Sequence, residues 1–403
     1  MTLIDTILRK MSTISTPQRK FITTLLTTIQ LLRGRMTFRN LSRYSDLHER
    51  TYARQFSTAF DFADCSHLTL TTYLPRATTK IAALDCTFGE KSGTHTYGLD
   101  MFYHGCHDQS ERGLEFSELA VVDVDYGTAY HVSMEQTPDT ATLRKTLGKD
   151  KTRVDWYLSH LWRDGPLLPS GITYLAADGY YAKVKFVNSV CDFGLHLVSK
   201  LRHDANLRYL FRGLHPKRRG ARKKYDGKVN LQDVSRLTPI PMSKTLTLYT
   251  AVVNSVSLKR TIRLVYVCKR DGKKLLTALL FSTDTTLAAE DIYRYYTARF
   301  QIEFLFRDAK QFTGLMDFQT RSEARIAFHV NASLTALNFL KLEDRQQAPD
   351  AEKEHVISIA SWKVRKFNEH QLERIISTLD LNLNSIKLHP RYEDLLNYGT
   401  IAA

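Results

Sequence analysis

Lys80-Ile81-Ala82-Ala83-Leu84-Asp85 is a short apolar run that closes on a carboxylate. Ile172-Thr173-Tyr174-Leu175-Ala176-Ala177-Asp178 repeats the pattern further along, with Gly179 behind it. Each run has the length of a buried strand, and a carboxylate directly after such a strand stands where α/β active sites collect. Between the two runs, residues 115–132 alternate apolar and polar about Tyr126-Gly127, a hairpin signal. A helical period then follows Pro138-Asp139 through Leu143, Leu147, Val154, Leu158 and Leu161, with Gly148 as its weak point. Strands, a helix, a strand and a further helix predict a mixed α/β domain rather than a barrel or a bundle.

Toward the N-terminus, residues 1–75 read as helical. Phe21, Ile22, Leu25, Leu26, Ile29, Leu31 and Leu32 recur at helical spacing. Residues 37–56 parse as a short helix, a Ser45-Asp46 turn and a second helix. That second helix would show Arg50, Thr51, Arg54 and Gln55 to solvent and pack Leu47, Tyr52 and Phe56, as a helix-turn-helix or an ordinary basic helical hairpin requires. Toward the C-terminus, residues 201–284 change character. A basic run holds Arg218, Arg219, Arg222, Lys223 and Lys224, and three β-rich runs follow at 246–253, 261–268 and 275–281, the last two joined across Asp271-Gly272. This predicts an inserted, mostly β subdomain. Helices return at Asp284, read as an N-cap, and continue to about residue 342. The tail, residues 346–403, reads as helical.

The chain has 403 residues, 43% hydrophobic and 25% charged, enough for a packed core and too long for one small domain. Its formal net charge of +15 points to a polyanionic partner, with nucleic acid first. No apolar run reaches the length of a membrane span, and the start has no signal-peptide pattern. The five cysteines are odd in number and form no CxxC pair, which argues against a disulfide framework. Together these features predict a reduced, cytoplasmic protein with no membrane partner.

The chemistry concentrates in Tyr296-Thr297-Ala298-Arg299-Phe300-Gln301-Ile302-Glu303-Phe304-Leu305-Phe306-Arg307-Asp308-Ala309-Lys310. On one continuous helix, Tyr296, Arg299, Glu303 and Lys310 fall within roughly 60° of one another. Phe300, Phe304 and Phe306 are expected to bury much of the remainder. Such a stripe faces either a functional cleft or an internal ion-pair network, because Arg299 and Glu303 at i,i+4 are also an ordinary helix pair. Two strand-terminal aspartates and this glutamate make three carboxylates that could converge. Three converging carboxylates repel one another unless cations neutralise them; two Mg2+ ions would do so and would clamp a phosphodiester.

The spacing Tyr-(2)-Arg-(3)-Glu-(6)-Lys, met by Tyr296, Arg299, Glu303 and Lys310, resembles the signature of DDE-type transposases of the insertion-sequence-four family. Gln301-Ile302-Glu303 and Phe306-Arg307-Asp308-Ala309-Lys310-Gln311 are similar to its surroundings. Ala177-Asp178-Gly179-Tyr180-Tyr181 and Asp85-Cys86-Thr87 resemble its aspartate motifs, although Cys86 stands where the family pattern favours a smaller or more polar residue. The resemblance runs from about residue 37 to 340. It implies a ribonuclease H-like catalytic core, with the Asp85 strand at its centre, interrupted by a mostly β insertion subdomain. The implied division is a helical DNA-end-binding region (1–75), the core's first part (76–200), the basic β insertion (201–284), the core's second part (285–345) and a C-terminal tail (346–403) suited to dimerisation. Asp85, Asp178 and Glu303 would be catalytic and would hold two Mg2+ ions, with Mn2+ able to substitute. Tyr296, Arg299 and Lys310 would grip DNA phosphates, as would Arg50, Arg54, Arg218, Arg219, Arg222, Lys223 and Lys224. The partners implied are transposon ends, target DNA and a second copy of the chain.

Other candidates read more plainly. Trp156 and Trp162 are expected in helix packing, and His329 as a structural histidine. Asp123 and Asp125 read as turn residues. His104, Cys106 and His107 lack a fourth ligand at matching spacing, which argues against a metal there. A ribonuclease H-like nuclease that cuts without joining would share the carboxylates without needing the Tyr/Arg/Lys stripe. A DNA-binding derivative without catalysis would not need the carboxylates. A tyrosine recombinase would need an Arg-His-Arg set that the chain lacks.

Overall fold

The Asp85 run becomes an interior strand, third from one end, of a twelve-stranded mixed sheet in the computed structural model, which describes residues 2–213, 221–347 and 358–401. The strands are β1 (Lys80–Glu90), β2 (Asp100–His104), β3 (Gln109–Asp123), β4 (Thr128–Thr137), β5 (Tyr174–Ala176), β6 (His196–Leu201), β7 (Leu207–Leu210), β8 (Tyr225–Lys228), β9 (Thr238–Pro241), β10 (Leu246–Ser255), β11 (Arg260–Asp271) and β12 (Lys274–Ser282). β4, β3 and β1 form an antiparallel meander, and β5 and β6 continue the sheet parallel to β1. β12 pairs antiparallel with β6 and leads through β11 to β10 and β7. The strands after residue 201 therefore extend the same sheet.

Five helices precede the sheet: α1 (Leu3–Lys10), α2 (Thr16–Leu31), α3 (Phe38–Leu41), α4 (Glu49–Gln55) and α5 (Phe62–Tyr73). Between β4 and β5 lie α6 (Thr140–Leu147) and α7 (Arg153–Asp164), and α8 (Val184–Asp192) joins β5 to β6. After β12 come α9 (Ala289–Ala298), α10 (Gln301–Asp308) and α11 (Glu323–Gln347), then α12 (Ile359–Thr378), α13 (Leu383–Lys387) and α14 (Tyr392–Leu396). One sheet face packs against α7 and α8 through Leu158, Leu161, Phe186 and Val187, and the other against α9, α10 and α11 through Ile292, Ile302, Leu305 and Val330.

α11 explains how the N-terminal helices meet the sheet. Ile326, Val330, Leu334 and Leu337 join the sheet's core, while Phe328, Ala332, Ala336 and Phe339 join the core built by α1 to α5. A helix apolar on both sides has to be sandwiched. Its polar residues finish the free edge of β4. Asn338 accepts from the His131 N–H at 2.8 Å and donates to the His131 carbonyl at 2.7 Å. Asn331 does the same for Met134 at 3.0 and 2.9 Å, and Lys341 donates to the Ala129 carbonyl at 3.0 Å. Side-chain amides thus stand in for a further strand along an edge that would otherwise be open to pairing.

Several local expectations change. The period after Pro138 is two helices, because Gly148 takes φ +120 and ends α6. β3 and β4 are buried on both faces rather than one, since helices cover both sides. Asp284 does not cap a helix: α9 starts after Ala288, and Asp284 accepts from the Thr286 N–H at 2.8 Å and from the Tyr174 hydroxyl at 2.8 Å. Asp85 does not end its strand, because β1 continues to Glu90 along β3. No described helix is long and apolar enough to cross a membrane.

Candidate active site

Parallel pairing of β1 with β5 stops at Ala83 opposite Ala176. Asp85 and Asp178 each follow two residues later. Side chains alternate along extended chain, so both carboxylates return to one face, and the end of β5 leaves the β1 edge open beside them. Asp178 keeps an extended backbone, φ −73 and ψ 177. It accepts from the Tyr180 N–H at 2.7 Å, and its carbonyl accepts from Ser199 at 2.8 Å, which ties the turn to β6.

The third carboxylate arrives on the opposite layer. Ile302 and Leu305 anchor α10 against Ile81 and Ala83 of the sheet. The expected single helix is broken here. α9 ends at Ala298, Arg299 and Phe300 form a turn, α10 runs to Asp308, and residues 309–313 widen into a π turn. The break leaves Phe300 and Phe304 46% and 43% exposed, so of the three phenylalanines expected to bury the helix only Phe306 does so.

Arg299 lies at that break and is itself buried. One guanidinium nitrogen donates to Asp85 Oδ2 at 2.8 Å and the other to Glu303 Oε1 at 2.9 Å. Its Nε is buried without a hydrogen-bond partner. The guanidinium carbon lies 5.7 Å from the Tyr296 ring centre. Burial pushes the Asp85 carboxyl up to about 7; Arg299 opposes the rise, and the charges of Asp178 and Glu303 add to it. Burial likewise raises the Tyr296 phenol. Lys310 donates to the Phe88 carbonyl of β1 at 2.9 Å, beyond Asp85 on the same strand.

The three carboxylates and Arg299 are thus gathered from β1, the turn after β5, and the α9–α10 break. Their oxygens are hard donors of the kind that hold divalent cations. Among the described residues, however, the only His, Cys, Asp or Glu group whose ligand atoms all lie within 4.8 Å is His104, His107 and Glu111.

The other expected contacts scatter over the surface. Arg50 and Arg54 are exposed on α4, with Tyr52 and Phe56 buried behind them. Arg222, Lys223 and Lys224 are exposed before β8, and Lys223 pairs with Asp226 at 2.8 Å. Arg218 and Arg219 lie outside the described residues. Trp162 is 48% exposed and donates to Ser189 at 2.8 Å. His329 is buried, with Nε2 2.8 Å from the Gly314 carbonyl. Asp123 accepts from the Tyr126 N–H at 3.1 Å as a turn residue and also pairs with Arg345 at 2.8 Å. Sequence reasoning missed Arg33 and Arg35, which line a cleft of about 410 Å³ together with Lys310. The Arg33-Gly34-Arg35 triplet after a helical run was a legible signal of a cationic turn. It also missed Lys183, whose ammonium sits 3.5 Å over the Tyr180 ring beside Asp178.

No curated protein matches the chain. The family described as transposase DDE domain matches residues 117–339, more than half of the sequence, and the matched span contains Asp178, Arg299 and Glu303. Proteins of this kind bind DNA, carry out phosphoryl transfer on nucleic acid and generally use divalent metal ions. On that match the chain belongs to the transposase DDE domain family.

Proposed function

We propose that this protein is a cut-and-paste transposase of the insertion-sequence-four type, acting on terminal inverted repeats through Asp85, Asp178 and Glu303. The Arg299 bridge between Asp85 and Glu303 carries the reading, because it joins residues 214 and 4 positions away into one cluster beside Asp178. The order β4-β3-β1-β5-β6, with Asp85 on the strand between the meander and the parallel pair, supports a ribonuclease H-like core.

The residues fit a divalent cation. The donors are all carboxylates, and the Asp85 carboxyl stays near 7 even with a guanidinium 2.8 Å away, so the cluster has room for more positive charge. Asp85, Asp178 and Glu303 would hold two Mg2+ ions, with Mn2+ able to substitute; when bound, these supply charge neutralisation at the attacking and leaving oxygens of a phosphodiester. Arg299 offers a planar fork suited to a phosphate. Once the carboxylates have other partners, that fork is free to turn to the scissile strand. Tyr296 donates its hydroxyl and Lys310 its ammonium to neighbouring phosphates. Water attacks first at the transposon end, and the freed 3′-hydroxyl then attacks the opposite strand or target DNA. Residues 1–75, with Arg50 and Arg54, contribute end binding, and Arg218, Arg219, Arg222, Lys223 and Lys224 contribute backbone contacts. Two copies act on paired ends, with residues 346–403 serving the dimer.

The test is excision in vitro. A plasmid carrying the inverted repeats that flank the gene is incubated with the protein and Mg2+ or EDTA, beside Glu303→Gln. Mg2+-dependent cleavage at the repeats is expected in the wild type, with the variant still binding the ends but cutting at least about 10²-fold more slowly. A variant that cuts at the wild-type rate removes Glu303 from the mechanism. Cutting unrelated to the repeats replaces the transposase with a general nuclease.

A further inference from the structure

We propose that His104, His107 and Glu111 form a second metal site, for one transition-metal ion of the zinc type, at the tip of the β2–β3 hairpin. β2 ends at His104, and the turn reverses through Asp108 at φ +53 before β3 returns at Gln109. His104 pairs across the ladder with Gln109, so Glu111, two residues on, lies diagonally from His104 on the same face. His107 folds back from the turn onto that face. His104 Nδ1 is 2.8 Å from one Glu111 oxygen, and His107 Nδ1 is 2.7 Å from the other. All three ligand atoms lie within 4.8 Å of one another. The sequence argued against a metal because no fourth ligand accompanied His104, Cys106 and His107; in the fold Glu111, not Cys106, is the third ligand, and the fourth position is left to water.

The donor set decides the kind of ion. Two imidazoles and a carboxylate suit Zn2+, which uses such sets with a fourth position open to water. Mg2+ prefers oxygen donors alone, so this site and the Asp85, Asp178 and Glu303 cluster select different metals. Glu111 also accepts from Gln109 at 2.7 Å, so the ligands are gathered before any ion arrives.

The location gives the site a role. The His104 ring stacks on Phe88 at 4.5 Å between centres, and the Phe88 carbonyl is the acceptor for Lys310. An ion at this tip fixes the turn against β1 and steadies the strand segment that holds Lys310.

The experiment measures metal binding by the full-length protein, stripped with EDTA and then held in excess Mg2+. Zn2+ is quantified by equilibrium dialysis, and Co2+ by its visible absorption, in the wild type, Glu111→Gln, His107→Ala and Asp85→Asn. One equivalent is expected in the wild type and in Asp85→Asn. Loss of an outer-shell partner already weakens metal sites by about 10–100-fold, so Glu111→Gln and His107→Ala should weaken binding at least that much. His107 is half exposed, so its variant keeps the fold, which circular dichroism verifies. Binding that is unchanged in both hairpin variants overturns the site and leaves a hydrogen-bonded turn. Loss in Asp85→Asn alone overturns it too, by assigning the Zn2+ to the carboxylates.

Discussion

At the scale of single residues, Asp85 sets the behaviour of the cluster. Its carboxyl is displaced from 3.8 to about 7, with burial the largest cause and Arg299 only partly offsetting it. The sign of the consequence follows from linkage. A carboxyl whose folded pKa lies above its unfolded value favours the folded state fully below about pH 4, and that contribution is lost as pH rises through about 7. The loss is on the order of a few kcal/mol. Asp85→Asn does not titrate, so in EDTA its stability relative to the wild type should rise between pH 4 and pH 8. Thermal melts of both proteins at the two pH values check this. A difference that stays constant would mean that Asp85 ionises as an ordinary surface aspartate.

Among elements, the β1–β3 ladder carries a strain-sensitive point at Gly113. Gly113 pairs with Glu90 on one side and Asp100 on the other, where three strands meet. A Cβ there would lie 2.4 Å from the Phe88 ring and 2.7 Å from the Gly89 carbonyl oxygen. The ring could rotate, but the backbone oxygen cannot move without opening the ladder. Gly113→Ala is therefore expected to destabilise the protein by about 1–3 kcal/mol, as overpacking in cores does. Because Phe88 also anchors Lys310, cleavage should fall by more than the folded fraction accounts for. Chemical denaturation and a cleavage assay on the same samples separate the two effects, and a fully stable, fully active variant would show that the ladder yields there. The α9–α10 break acts at the same scale. At that break Arg299 is buried and bonds Asp85, while Glu303 stays half exposed.

For the whole molecule, charge is the dominant property. The chain carries a net charge of +15, and exposed cations on α4, at the turn Arg33-Gly34-Arg35, in the run Arg222-Lys223-Lys224 and at Lys310 contribute to it. Affinity for DNA should therefore fall steeply with salt. Arg222 and Lys224 are exposed, so changing both to Ala should lower the slope of log K against log salt by roughly 1 to 2 without altering sequence preference. Binding measured from low to physiological salt checks this, and an unchanged slope would move that run away from DNA. The buried ties of α11 to β4, and of Lys363 on α12 to the Ile29 and Phe312 carbonyls at 2.9 and 2.6 Å, join the N-terminal helices, the sheet and the tail.

The sequence by itself determined the strands at residues 80–85 and 174–176, the three β runs after 246, the helical start, the charge and the identity of the candidate carboxylates. These follow from short-range physics, in which apolar periodicity, turn residues and net charge are properties of neighbours in the chain. The tertiary structure alone decided that Asp85 and Asp178 sit in equivalent places two residues past the last β1–β5 pair, that Arg299 bridges Asp85 to Glu303, and that Glu111 joins His104 and His107. It also decided where the helix around Glu303 breaks, because helix continuity there depends on packing against the sheet and on a buried ion pair. Such contacts join residues far apart in the chain, and their energies depend on burial, which no local spacing encodes.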